Sequence, residues 1–198
     1  MEIPGDDEIR ALHERYAPGD AAFEAVWTHC VIVSEIAERI MDGAGLAVDA
    51  DLVRAGCLLH DLGVYRLYGP SGTIDGSGYV RHGVLGHAIL RDEGFPEEIC
   101  RFCSCHTGVG LTRDDIVRQR LPVPAGDYMA ESGEERLVMY ADKFHSKTDP
   151  PTFVSAATYA RHVRRYGEEK VRVFEAMRES FGEPDLGPLL EKSGQGLV

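Results

Sequence analysis

The sequence predicts an all-α fold, a helical bundle within a single domain. Three observations carry that reading. Apolar residues recur at helical spacing along almost the whole chain. Alternating β-branched runs, the mark of half-buried strands, are nearly absent. Capping residues and glycines bracket the periodic stretches. With 198 residues, 43% of them hydrophobic and 27% charged, the chain is long enough for one buried core and short for two domains.

In chain order, a short helix is expected over about 6–16, stopped by Pro18-Gly19. Asp20 then caps a long helix to about Asp42, with an apolar seam of Ala22, Val26, His29, Val33, Ile36 and Ile40. Gly43 and Gly45 end it. Asp49 caps the next helix, which reaches about Asp61, is closed by Gly63 and carries Val53, Cys57 and His60 on one face. Residues 64–80, rich in glycine and tyrosine without periodicity, read as a long loop of the kind that binds or covers ligands. A helix over about 80–93 ends at Gly94, and Pro96 opens another to about Cys105 with Glu97 and Glu98 in its first turn. Thr112 begins a short helix, and 121–133 form a second loop. Further helices are expected over 134–147, 152–165 and 168–181, with a frayed tail from Gly187.

Charge narrows the function. Acidic residues number 33 against 21 basic ones, a net charge of −12, and a polymeric nucleic acid needs the opposite balance. No apolar run reaches the length of a membrane span, and the first residues do not read as a secretory signal. Five cysteines, an odd number, do not read as a disulfide framework, so a cytoplasmic setting is expected.

Several polar residues sit where the helical pattern calls for apolar ones. His29 lies on the long apolar seam and alone would read as a buried histidine with a carbonyl partner. His60-Asp61 follows Ala55, Gly56, Cys57, Leu58 and Leu59, a run that would carry an acid inside, where it needs a partner. His82 has Gly86 one turn on, and a mid-helix glycine points to close approach of a neighbour. His87 reads as a surface residue. His106 ends a helix, and Asp142 lies in mid-helix among Leu137, Val138, Met139, Tyr140 and Ala141. One hypothesis covers these anomalies: a metal centre in a bundle core, built from facing helices. Nitrogen and oxygen ligands without thiolate suit Fe, Mn, Co, Ni or Zn. Cys100, Cys103 and Cys105 lack a second pair to complete a zinc site and read as core. No glycine-rich phosphate loop or nucleophile elbow is present, and Arg161, His162, Arg164 and Arg165 read as a solvated helix face.

The order His29, His60-Asp61, distal Asp142 on a helical background resembles the HD-domain metal-dependent phosphohydrolase superfamily. RHGVLGHAIL at 81–90 and CHTGVGLT at 105–112 resemble the segments that supply two added histidines in its dinuclear branches, and LVMYADKF resembles the closing Ala-Asp stretch. Those branches include bacterial diadenosine tetraphosphate hydrolases and cyclic-di-GMP phosphodiesterases. The nearest likeness is to archaeal and bacterial predicted HD hydrolases of unknown substrate. His106 is followed by Thr107-Gly108-Val109 rather than Gly-Tyr-Pro, a departure from the cyclic-di-GMP branch.

The resemblance implies an HD core over 20–147 and a C-terminal helical extension over 148–198. It implies one metal on His29, His60, Asp61 and Asp142 and a second on Asp61, His82 and His106, with His60 and Asp61 central to catalysis. The implied reaction is cleavage of a phosphate ester or anhydride of a small molecule, a nucleotide first of all, by metal-activated hydroxide. Arg66, Arg81, Lys143 and Lys147 are the expected phosphate partners, and Tyr65, Tyr68 and Tyr79 are placed to stack a base or cover the substrate. The same six ligands also serve mixed-valent di-iron oxygenases of the superfamily. A non-catalytic nucleotide sensor is the third reading, although no ligand is missing.

Overall fold

The computed structural model describes residues 2–74 and 76–198. Its ten α-helices are α1 (Asp6–Tyr16), α2 (Asp20–Ala44), α3 (Ala50–Leu59), α4 (His82–Asp92), α5 (Glu97–Cys105), α6 (Arg113–Gln119), α7 (Gly133–Asp142), α8 (Ala156–Val163), α9 (Glu168–Phe181) and α10 (Gly187–Ser193). The only sheet among the described residues is small, with β1 (His145–Ser146), β2 (Thr152–Phe153) and β3 (Gly196–Leu197) in that order. The all-α expectation holds.

Local chemistry sets the helix starts. The Asp49 side chain accepts from the backbone N–H of Asp51 and Leu52 ahead of α3. Thr112 with Asp115, and Ser132 with Glu135, form reciprocal capping boxes on α6 and α7. Each such cap contributes about 1 kcal/mol. Gly45 takes a left-handed conformation (φ 57°) to end α2.

The apolar faces pack into two clusters, and α2 serves both. Val33, Ile36 and Ile40 join Val53, Leu137, Tyr140 and Phe174 in one. Ala22, Val26 and Cys30 join Leu58, Leu59, Leu90 and Ile99 in the other. His29 falls on α2 between the two sets, so the seam between the clusters is where polar side chains gather.

Four expectations need correction. Helix α3 stops at Leu59, and Asp61 lies between it and a 3₁₀ turn over Leu62–Leu67. A second 3₁₀ turn covers Gly76–Arg81, so the segment read as loop is partly coiled. Helix α7 stops at Asp142 because the chain turns extended: His145 pairs with Phe153 and Ser146 with Thr152 in an antiparallel bridge. A two-residue strand leaves no periodicity to read. The tail is ordered rather than frayed. Leu189 is buried in the core, and β3 runs parallel to β2 with Val198 N–H donating to Phe153 and Ser155 N–H to Val198. No helix among the described residues is long and apolar enough to cross a membrane.

Candidate metal centre

The middle of α2, four helix ends and one turn deliver the polar residues to the seam. His29 comes from α2, His60 caps α3, Asp61 opens the turn that follows, His82 begins α4, His106 caps α5 and Asp142 ends α7. Close backbone approach makes this possible. A Cβ on Gly63 would lie 2.0 Å from the His82 carbonyl and 2.3 Å from the Gly86 nitrogen, so the turn after Asp61 packs main chain to main chain on α4.

The six side chains form two groups that share Asp61. In the first, His29 Nε2 lies 3.0 Å from Asp142 Oδ1, 3.2 Å from Asp61 Oδ2 and 3.2 Å from His60 Nε2. His60 Nε2 is 3.3 Å from Asp61 Oδ2 and 3.4 Å from Asp142 Oδ1. In the second, Asp61 Oδ1 lies 3.6 Å from His82 Nε2 and 3.7 Å from His106 Nε2, and those nitrogens are 2.9 Å apart. Asp61 thus turns one oxygen to each group. Cys30, Cys57, Cys100, Cys103 and Cys105 are free, buried and members of neither.

Hydrogen bonding fixes the ring directions. A carbonyl can only accept, so each imidazole nitrogen beside one carries the proton. His60 Nδ1 donates to the Cys57 carbonyl at 2.7 Å, His82 Nδ1 to Tyr79 at 2.6 Å and His106 Nδ1 to Phe102 at 3.0 Å. Each of these rings therefore turns Nε2 inward. His29 differs: its Nδ1 lies 2.8 Å from Nδ1 of His145.

The electrostatics fit a divalent cation. Burial, then the neighbouring His106, pushes His82 down to about 3, and burial also lowers His106. Both rings are neutral at ordinary pH, so two Nε2 lone pairs face each other at 2.9 Å without a proton between them. Asp61 Oδ1 beside them is buried without a hydrogen-bond partner, an arrangement that costs free energy unless a cation is supplied. In the first group burial disfavours charge on His60, but Asp61 and its other neighbours hold its pKa well above the ordinary histidine range. Burial alone would raise Asp61, yet Lys147 and His60 hold it well below the carboxylate range. Asp142 is likewise held low against burial by Lys143 and by bonds from His29 and His60. Both groups draw positive charge.

The centre opens onto a cleft of about 790 Å³, the size of small-molecule sites (~300–1,000 Å³). Lys143 and Lys147 line it. Lys143 Nζ donates to Asp142 Oδ2 at 2.6 Å and to the His106 carbonyl at 2.9 Å, and Lys147 Nζ donates to Asp61 Oδ2. Tyr68 and Tyr79 line it too, but Tyr65 does not: its hydroxyl bonds buried His13. Arg66 and Arg81 are exposed and do not line the cleft, against the expectation for them. Arg66 sits over the Tyr16 ring at 5.3 Å. His87 lies apart from both groups, with Nδ1 3.0 Å from Ser104 Oγ. The sequence reading missed Tyr159 and took His162 and Arg165 for a solvated helix face, but α8 and the 3₁₀ turn after it bring all three to the cleft wall. It also missed His145, whose place three residues past Asp142 was the available signal.

Comparison with known proteins gives the family and the fold. The HD domain family model matches residues 26–147, and the chain belongs to that family, the HD-domain metal-dependent phosphohydrolase superfamily. An uncharacterized protein of Methanocaldococcus jannaschii is 37% identical over 60% of this chain and 65% of its own length. A tRNA (cytidine(56)-2'-O)-methyltransferase of Picrophilus torridus is 31% identical over 73% of this chain and 37% of its own length. The one from Thermoplasma volcanium is 32% identical over 71% and 36%. The chain thus spans less than two thirds of the first relative and little more than a third of the others. Among solved structures, the HD domain of the L. monocytogenes phosphodiesterase PgpH shares the fold at TM-score 0.53 and 18% identity, covering 87% of each chain. The same domain in complex with cyclic-di-AMP gives 0.55 and 16%, covering 94% of this chain and 97% of that one.

Proposed function

We propose that this chain is a cytoplasmic metal-dependent phosphohydrolase. It cleaves a phosphate ester or anhydride of a small molecule, a nucleotide in the first instance. Two divalent ions from among Fe, Mn, Co, Ni and Zn are its cofactors, one on His29, His60, Asp61 and Asp142 and one on Asp61, His82 and His106. The observation that carries this reading is Asp61: buried, turned one oxygen to each group, and left with Oδ1 unpartnered. Family membership and the nucleotide bound by the PgpH domain support it.

Such ions, when bound, supply an activated water and neutralise charge on phosphate oxygens. The chain does the rest. His60, His82 and His106 are held by their carbonyl bonds with Nε2 inward. Lys143 and Lys147 place two ammonium groups at the cleft floor, where a phosphate would bring its oxygens. Tyr68 and Tyr79 offer ring faces for a base. The net charge of −12 favours a small substrate over a polymer.

The test combines metal analysis of the purified protein with a phosphate-release screen over nucleotides and phosphoesters. Release is expected to vanish on chelation and to return better with Mn, Co or Fe than with Mg, because imidazole suits the softer ions. Turnover that requires oxygen and releases no phosphate or nucleoside from any ester would promote the di-iron oxygenase reading instead.

A further inference from the structure

The C-terminal extension reaches the metal centre from behind. His60, His82 and His106 each lean on a carbonyl three or four residues earlier in their own segment. His29 leans on a side chain instead, His145, across 116 positions of sequence. The other nitrogen of that ring, Nε2, lies 2.8 Å from Gln195 Oε1. Gln195 immediately precedes β3, and Lys192 on α10 pairs with Glu35 of α2 at 2.6 Å. The His145 ring is 5% exposed, stacked on His29 at 5.1 Å and flanked by Phe153 at 5.1 Å.

We propose that Gln195 and His145 are positioning residues that set the tautomer of His29, so that the C-terminal segment forms part of the metal site's outer shell. The proton arithmetic has one solution once Nε2 of His29 is a metal ligand. The Gln195 amide oxygen accepts, so His145 Nε2 carries the proton. His145 Nδ1 is then an acceptor, so His29 Nδ1 must donate to it. That leaves the lone pair of His29 Nε2 facing Asp61 and Asp142. Outer partners of this kind set ligand orientation and basicity. The inference rests on the metal-centre reading and extends it from His145, near the end of the matched family region, to Gln195, which lies beyond its last residue, 147.

The test has two readouts, neither of them activity. Two-bond proton–nitrogen NMR spectra of the imidazoles report the tautomers directly. His29 should be protonated at Nδ1 and His145 at Nε2. The reverse assignment at His145 would overturn the proposal. Cobalt(II) binding is then measured in a His82→Ala background, which isolates the group holding His29. Gln195→Ala should weaken binding about tenfold, and His145→Phe about 10–100-fold, the range for lost outer partners. Gln195→Glu, which keeps an acceptor, should restore it. All three should keep the metal-free melting temperature of that background within a few degrees. Equal affinity in Gln195→Ala, or a loss that Gln195→Glu shares, would overturn the proposal. If the unsubstituted protein takes up no cobalt at all, the metal-centre reading itself falls and the proposal with it.

Discussion

Asp115 and Asp61 are both sealed inside the fold, at 3% and 1% exposure, and the protein serves them in opposite ways. Asp115 Oδ2 accepts from Thr112 N at 3.0 Å, Thr112 Oγ1 at 2.8 Å and Lys170 Nζ at 2.5 Å, and Oδ1 accepts from Arg118 at 2.7 Å. Lys170 spends another proton on the Gly110 carbonyl at 2.8 Å. That cluster is closed on itself. It ties α6 to α9, and both oxygens of its carboxylate are met. Asp61 is ringed by the Nε2 atoms of four histidines, and one of its oxygens has no hydrogen-bond partner. Burial of charge therefore does not mark a functional site; burial with an unmet valence does.

The sharpest test of the contrast is to remove each carboxylate. Asp61→Ala takes a ligand from both groups, so both ions should be lost and activity should fall on the order of 10⁴-fold, as when a central member of a catalytic unit goes. His82→Ala should keep the ion on His29, His60, Asp61 and Asp142 while losing the other. Metal analysis reads both variants, and wild-type stoichiometry in both would end the dinuclear reading. Asp115→Ala should do the reverse: metal content unchanged, stability down by about 3–5 kcal/mol because Lys170 is left buried and unpaired. For a chain of this size that is a fall in melting temperature of about 6–20 °C.

A third polar site sharpens the closed side of the comparison. His13 is fully buried, donating from Nε2 to the Leu58 carbonyl at 2.8 Å and accepting at Nδ1 from Tyr65 at 2.8 Å. Burial, despite that carbonyl bond, lowers its pKa to about 4. Below the unfolded value near 6.5 the unfolded chain takes up a proton that the folded one refuses. Its contribution is therefore complete above pH 6.5 and is lost as pH falls toward 4. Urea unfolding from pH 7 to 4.5 should show this, with no more than about 3 kcal/mol from His13 and a shallower slope in His13→Gln. The smallest effect is expected at Arg66→Ala, on the surface and off the cleft: within about 0.5 kcal/mol in stability and with unchanged hydrolysis, measured beside Lys147→Ala.

These contrasts also show what the sequence could and could not reveal. Helices α1, α2 and α9 were legible because amphipathic stretches carry their own period, although each starts after a glycine without a side-chain cap, Asp20 being the first residue of α2 rather than its cap. His29 and Asp142 stood out because each broke an apolar pattern, and His60-Asp61 because it followed an apolar run; His82 and His106, at helix ends, came from the resemblance of their segments. Arg66 and Arg81 were not: flanking a loop in sequence says nothing of which way a 3₁₀ turn faces them. The bracket of β1, β2 and β3 was invisible because two-residue strands are made by long-range pairing alone. With it went His145 and Gln195, whose roles exist only after the tail has folded back.

The contact of Gly63 with α4 has a meaning for the size of the centre. Side chains swing and adjust, but here the gap between the turn bearing Asp61 and the helix bearing His82 is the thickness of two bare backbones. The distance from Asp61 to His82 within the second group is thus gauged by main chain, like a shim between two plates. An alanine at Gly63 would put a methyl carbon 2.0 Å from the His82 carbonyl and wedge the plates apart. Every ring and carboxylate could remain in place in the sequence and the centre would still be the wrong width.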